Sequence, residues 1–260
     1  MLQWGIGPIW PSHRLACSAK LADVVSPERS GAIDPIAAVL ARMNAIASEL
    51  PASDGEARFN HLYLEETIAV DTAVRTSGFE DPDFISALDV VFAGLYFAAV
   101  DACNAGQPVP RSWAPLFAAR SDPRIAPIQF ALAGMNAHIN HDLPLALVST
   151  FGARSIDPSR DAPQYRDYLK INDTIAATES RVKQEFLTGL LGVADEVLGH
   201  IDDVIAMWSI TEARNAAWTN AEALWALRDH PDLTAAFEDT LDGTVGFASR
   251  GLLVPTLPQG

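Results

Sequence analysis

The segment Pro127-Ile128-Gln129-Phe130-Ala131-Leu132-Ala133-Gly134-Met135-Asn136-Ala137-His138-Ile139-Asn140-His141-Asp142-Leu143-Pro144 carries one formal charge, Asp142. Proline at its head suits the first position of a helix, and the run shows no strict alternation, so it reads as a mostly buried helix. His138 and His141 are three residues apart, and His138 and Asp142 are four apart. Their side chains therefore fan over about 100° of one face. Gln129, Asn136 and Asn140 lie opposite, and the flanks are apolar. One polar stripe can face water, and the amides are the natural choice. That aims the His/His/Asp stripe at the interior, where Gly134 and Ala131 leave room for another backbone or a ligand. Pro144 has no N–H to give the Asn140 carbonyl and is expected to kink or end the helix.

The same reading extends in both directions. Asp34-Pro35 and Asp81-Pro82 each look like an N-cap followed by proline, opening helices through about Leu50 and Asn104. Another helix is expected from about Asn60 to Thr76. Pro108 to Pro127 holds five prolines and reads as a long connection anchored by Trp113, Leu116 and Phe117. Ser149 to Pro163 reads as a loop. Helices are expected at about 164–190, 193–208, 212–228 and 233–248, with clear starts at Thr211 and Pro231. No stretch alternates like a strand, and there is no Asn-Gly turn. The expectation is all-α: an irregular N-terminal arm over 1–32, then one globular domain of about eight helices over 33–260.

Composition narrows the function. Hydrophobic residues make up 49% of the 260-residue chain and charged residues 20%, with a net charge of -15. So acidic a surface repels phosphate backbones and anionic lipid, which argues against nucleic acid and membranes as partners. Two cysteines, Cys17 and Cys103, are too few for a disulfide framework and fit a reducing cytoplasm. The start Met-Leu-Gln-Trp-Gly-Ile-Gly-Pro lacks a basic n-region, so no signal peptide is expected. Phe84 to Val100 is the most apolar run; Ser86 and Asp89 interrupt it, and it reads as a core helix.

A buried carboxylate is costly unless it is paired or bound to a metal. His138, His141 and Asp142 are therefore candidate ligands for a divalent zinc, iron or manganese ion, with His61 as an outside ligand and Glu66 as a catalytic carboxylate. His61 and Glu65 share a helix face. Tyr63, Asp89, Tyr96 and Asn136 are candidates for a substrate pocket. Asp89 stands alone in an apolar helix and marks either a polar site or that helix's one wet side. His200, Asp202 and Asp203 read as a surface segment, and Trp218 and Trp225 as a packing stripe. Arg214 and Arg228 are possible anion binders, read first as partners of the many carboxylates. The leading expectation is a metal-dependent enzyme acting on a small molecule, most simply a hydrolase. The alternatives are a metal-free lyase, isomerase or cyclase using His138 and Asp142 as an acid/base pair, or a helical binding protein in which this cluster only satisfies core polarity.

The segments Phe84–Val90, Pro127–Pro144 and Gly246–Pro255 resemble a bacterial family of unknown function. The resemblance spans most of the chain, and the middle segment is its most specific part. It implies that the chain is one unit and supplies no activity. The order His61, His141-Asp142, Asp202 is loosely similar to the metal-dependent phosphohydrolases of the His-Asp class. Asn172-Asp173 followed by Glu179 resembles the second metal motif of class I terpene cyclases, with the Glu one position early.

Overall fold

Proline and aspartate punctuate the chain as their chemistry requires. The Asp34 side chain accepts from the Ile36 N–H at 3.0 Å, with Pro35 at the first helical position of α1, Pro35–Glu49. Asp81 accepts from the Phe84 N–H at 3.0 Å and opens α3, Pro82–Asn104, in the same way. The computed structural model describes residues 34–76, 78–188 and 209–257. Between and beyond these two helices come α2, Gly55–Thr76, and α4, Ala114–Ala119. They are followed by α5, Pro127–Ala137; a π-turn, His138–Asp142; α6, Leu143–Arg154; and α7, Pro163–Thr188. The last are α8, Ile210–Leu227, and α9, Pro231–Leu252. No strand occurs among the described residues, and the fold is all-α. The described residues gather into one compact unit. The expected arm over 1–32 and the expected helix over 193–208 lie outside the described residues.

Three expectations are corrected. First, α2 begins at Gly55, before Asn60. Asp54 caps the Glu56 N–H at 2.8 Å, and Arg120 clamps both acids, Nε to Asp54 at 2.8 Å and Nη1 to Glu56 at 2.6 Å. The aspartate cap is a local start signal, and the Arg120 clamp from a distant segment holds the added turn in place.

Second, Pro144 does not end its helix. The chain widens to a π-turn over His138–Asp142, where the Leu143 N–H reaches back five residues to the His138 carbonyl. The widened turn absorbs the missing proline donor, and α6 runs on to Arg154, well into the expected loop. Ser155, at φ 54°, then ends it in the left-handed conformation. Burial favours the extension: Phe151 is fully enclosed, stacked on Phe84 at 5.9 Å and set edge-on to Trp218 at 5.3 Å.

Third, neither polar stripe of α5 faces water. Gln129 and Asn136 are buried against α9 and the C-terminal turn. Gln129 donates to the carbonyls of Leu252 and Val254, both at 2.8 Å. Asn136 donates to the Val245 carbonyl at 3.1 Å and to Ser249 Oγ at 2.9 Å.

Helix α5 is thus the central rod, packed by α2 on one side and α9 on the other, while α6 packs on α3 and α8. The space beside Gly134 is taken by the Phe59 ring of α2, against which a Cβ would collide. Gly246 plays the same part in α9, where a Cβ would meet the Arg111 carbonyl. Among the described residues, α3 alone is long and apolar enough to cross a membrane, and one of its faces, from Phe84 to Val100, is built into the core. The Trp218 and Trp225 stripe packs on Phe151, as a packing stripe should.

Candidate active site

The π-turn brings His138, His141 and Asp142 together, but they converge on each other. His138 Nδ1 lies 3.0 Å from Asp142 Oδ2, and His141 Nδ1 lies 2.7 Å from Oδ1. The indole Nε1 of Trp113 donates to Oδ2 at 2.9 Å. Three donors therefore surround one carboxylate that is 2% exposed. Burial raises the Asp142 pKa, but the bonds from His138 and His141 outweigh it and hold the group below its ordinary value. Burial dominates at His138, whose pKa is lowered despite Asp142. At His141 burial works in the same direction but loses to Asp142, Asp242 and Glu238, so its pKa is raised. An ionised Asp142 accepts only, so His138 carries its proton on Nδ1 and leaves Nε2 as a bare acceptor. Among the described residues that Nε2 has no hydrogen-bond partner. The ring lies flat on Phe92, with centroids 3.5 Å apart and planes 5° apart, and edge-on to Tyr63 at 4.4 Å.

On the outer side, His141 Nε2 is 3.5 Å from Asp242 of α9. Asp242 also caps the backbone N–H groups of Arg111 and Ser112 at 3.0 and 2.9 Å. Burial raises the Asp242 pKa, but these N–H groups and His141 outweigh it and hold the group below its ordinary value. Sequence reasoning missed the roles of Trp113 and Asp242. One is a tryptophan in a proline-rich connection and the other is one acid among many, and nothing local marks either.

A second group of candidates lines a cavity of about 50 Å³ between α2, α3, α7 and α8. Glu66 and Tyr63 come from α2, Asp89 and Phe92 from α3, and Arg214 from α8. Most of the remaining lining, such as Val70, Ile85, Leu88 and Ile171, is aliphatic, with Thr67 and Tyr168 beside it. Burial is the main cause that pushes the Asp89 carboxyl up to about 7, with Asp71 adding to it and Arg214 opposing it. Tyr63 is pushed well above its ordinary value, chiefly by burial. Tyr63 and Phe92 are the shared wall: each faces the cavity and each touches the His138 ring. His138 itself is one layer behind that wall.

The other expected residues lie elsewhere. Tyr96 packs on Phe59 and donates to Asn60 Oδ1 at 3.3 Å, deep in the core. Asn136 is spent on α9. His61 is half-buried on α2, and Glu65 pairs with Arg181 at 2.6 Å. Asn172 accepts from Arg214 Nε at 2.7 Å. His200, Asp202 and Asp203 lie outside the described residues.

The chain belongs to the family of unknown function DUF5995, whose family model matches residues 36–255. No curated protein and no solved structure matches it.

Proposed function

We propose that the protein is a metal-free enzyme that transfers protons on a small, mostly aliphatic molecule, as a lyase or isomerase does, with Asp89 as the acid/base group. The observation that carries this reading is the cavity itself, which sets the carboxyls of Glu66 and Asp89 and the ring of Tyr63 among aliphatic walls. A carboxyl that titrates near 7 is matched to proton transfer at neutral pH. At about 50 Å³ the space holds a few water molecules, or a substrate body of similar bulk. His138 and Asp142 act here as positioning residues, fixing the Tyr63 and Phe92 wall from behind. A zinc, iron or manganese ion at Asp142 would compete for lone pairs that Trp113, His138 and His141 already engage, so no step is routed through a metal.

The test incubates the protein with a mixture of small metabolites in D2O containing EDTA, and follows C–H to C–D exchange and turnover by NMR. At least one aliphatic compound is expected to exchange or turn over, and Asp89→Asn to slow it by about 100-fold or more. No exchange or turnover across the mixture would sink the proposal. So would full activity in Asp89→Asn, or activity that EDTA abolishes and zinc restores.

A further inference from the structure

Arg214 is a buried cation, 6% exposed, in the wall of the cavity. Its Nε donates to Asn172 Oδ1 at 2.7 Å and its Nη2 to the Tyr168 carbonyl at 3.0 Å, and its guanidinium lies over the Tyr168 ring at 4.2 Å. All three partners are neutral. Among the described residues no carboxylate pairs with it, although a buried guanidinium ordinarily has one. A guanidinium has five N–H donors, and two are used.

Asp89 lines the same cavity from α3, a different wall, and accepts no hydrogen bond among the described residues. The two groups sense each other's charge, yet they form no ion pair. The cavity therefore has a cationic donor on one wall, carboxyls at Asp89 and Glu66 on two others, and mostly apolar side chains between them. Its complement is a molecule with a carboxylate, an ammonium and a short aliphatic body.

Resting on the reading of this cavity as the substrate site, we infer that it binds a small zwitterion of the aliphatic amino acid class, with the ligand carboxylate on Arg214 and the ligand ammonium on Asp89. The two ends satisfy groups that have no charged partner among the described residues. The body replaces a few water molecules against Val70, Ile85 and Leu88. A ligand with only one charged end leaves the opposite group desolvated and unpaired, which is what makes such a site selective.

Calorimetric titration of the full chain tests this with glycine, alanine, valine, leucine and γ-aminobutyrate. Two cut-down versions of valine accompany them: 3-methylbutanoate, which lacks the amine, and isobutylamine, which lacks the carboxylate. At least one zwitterion is expected to bind, and valine at least tenfold more tightly than either fragment. Arg214→Gln should weaken valine and 3-methylbutanoate by tenfold or more and leave isobutylamine unchanged. Asp89→Asn should do the reverse, weakening valine and isobutylamine and sparing 3-methylbutanoate. If Arg214→Gln fails to fold, Arg214→Lys keeps the charge but loses the fork, and should weaken the same two ligands. Equal binding of valine and its fragments would overturn the inference and leave the cavity a small-molecule site. No binding by any zwitterion would overturn it as well. Zwitterion binding with the variant pattern above, but without exchange or turnover, would uphold it while removing the proposed enzyme activity.

Discussion

Asp142 shows how one side chain organises its surroundings. An ionised carboxylate in a core is tolerated only when its lone pairs are occupied, and here one indole and two imidazoles occupy them. Two of those three donors are legible from spacing on the helix. The third, Trp113, arrives from 29 residues upstream, and no pattern announces it. Asp89 is the opposite case, a half-buried carboxyl that accepts no hydrogen bond among the described residues. A carboxyl whose folded-state pKa lies above its unfolded value costs stability once it is ionised in both states, and costs nothing once it is protonated in both. With a folded value of about 7 against 3.8, Asp89→Asn should stabilise the protein by up to about 4 kcal/mol at pH 8, with the gain closing as pH falls toward 4. Urea unfolding of both proteins at pH 4, 6 and 8 measures this. A constant difference across that range would contradict the desolvated carboxyl.

At the scale of elements, the run from Pro127 to Arg154 is the one that sequence periodicity describes least well. A uniform turn angle put His138, His141 and Asp142 on a common stripe, and the widened turn keeps them close while carrying the helix past Pro144. The opposite amide stripe is no solvent face. It is a ladder that ties α5 to α9, and Asn140 extends it by donating to Asn136 Oδ1 at 3.0 Å. Gln129 is its strongest rung: besides its two donated bonds, it accepts from the Ala126 N–H at 2.9 Å and from Thr256 Oγ1 at 2.6 Å. Gln129→Ala leaves those carbonyls unpaired and should cost about 2 kcal/mol. Amide exchange should rise selectively over residues 252–257, with α2 and α3 unaffected. Uniform exchange throughout the chain would instead mean that the ladder supports the whole core.

At the scale of the molecule, one continuous core links α1 through α9, with His138 enclosed by rings from α2, α3 and the connection before α4. A unit joined this way should unfold as a whole, so far-ultraviolet dichroism and tryptophan fluorescence should trace a single melting curve, unshifted by EDTA. Separate transitions would show that α8 and α9 form an independent part. Sequence by itself determined the helical class, most helix starts and the closeness of His138 to Asp142, because proline geometry, side-chain capping and helical spacing act over a few residues. Family membership over residues 36–255 accords with the resemblance carried by the Pro127–Pro144 segment. Only the tertiary structure decided that the histidines spend their Nδ1 atoms on Asp142, that the amides face α9, and that Asp89 and Arg214 line one cavity from separate helices. Those outcomes depend on which faces meet across long stretches of chain, and that is set by packing the whole core at once.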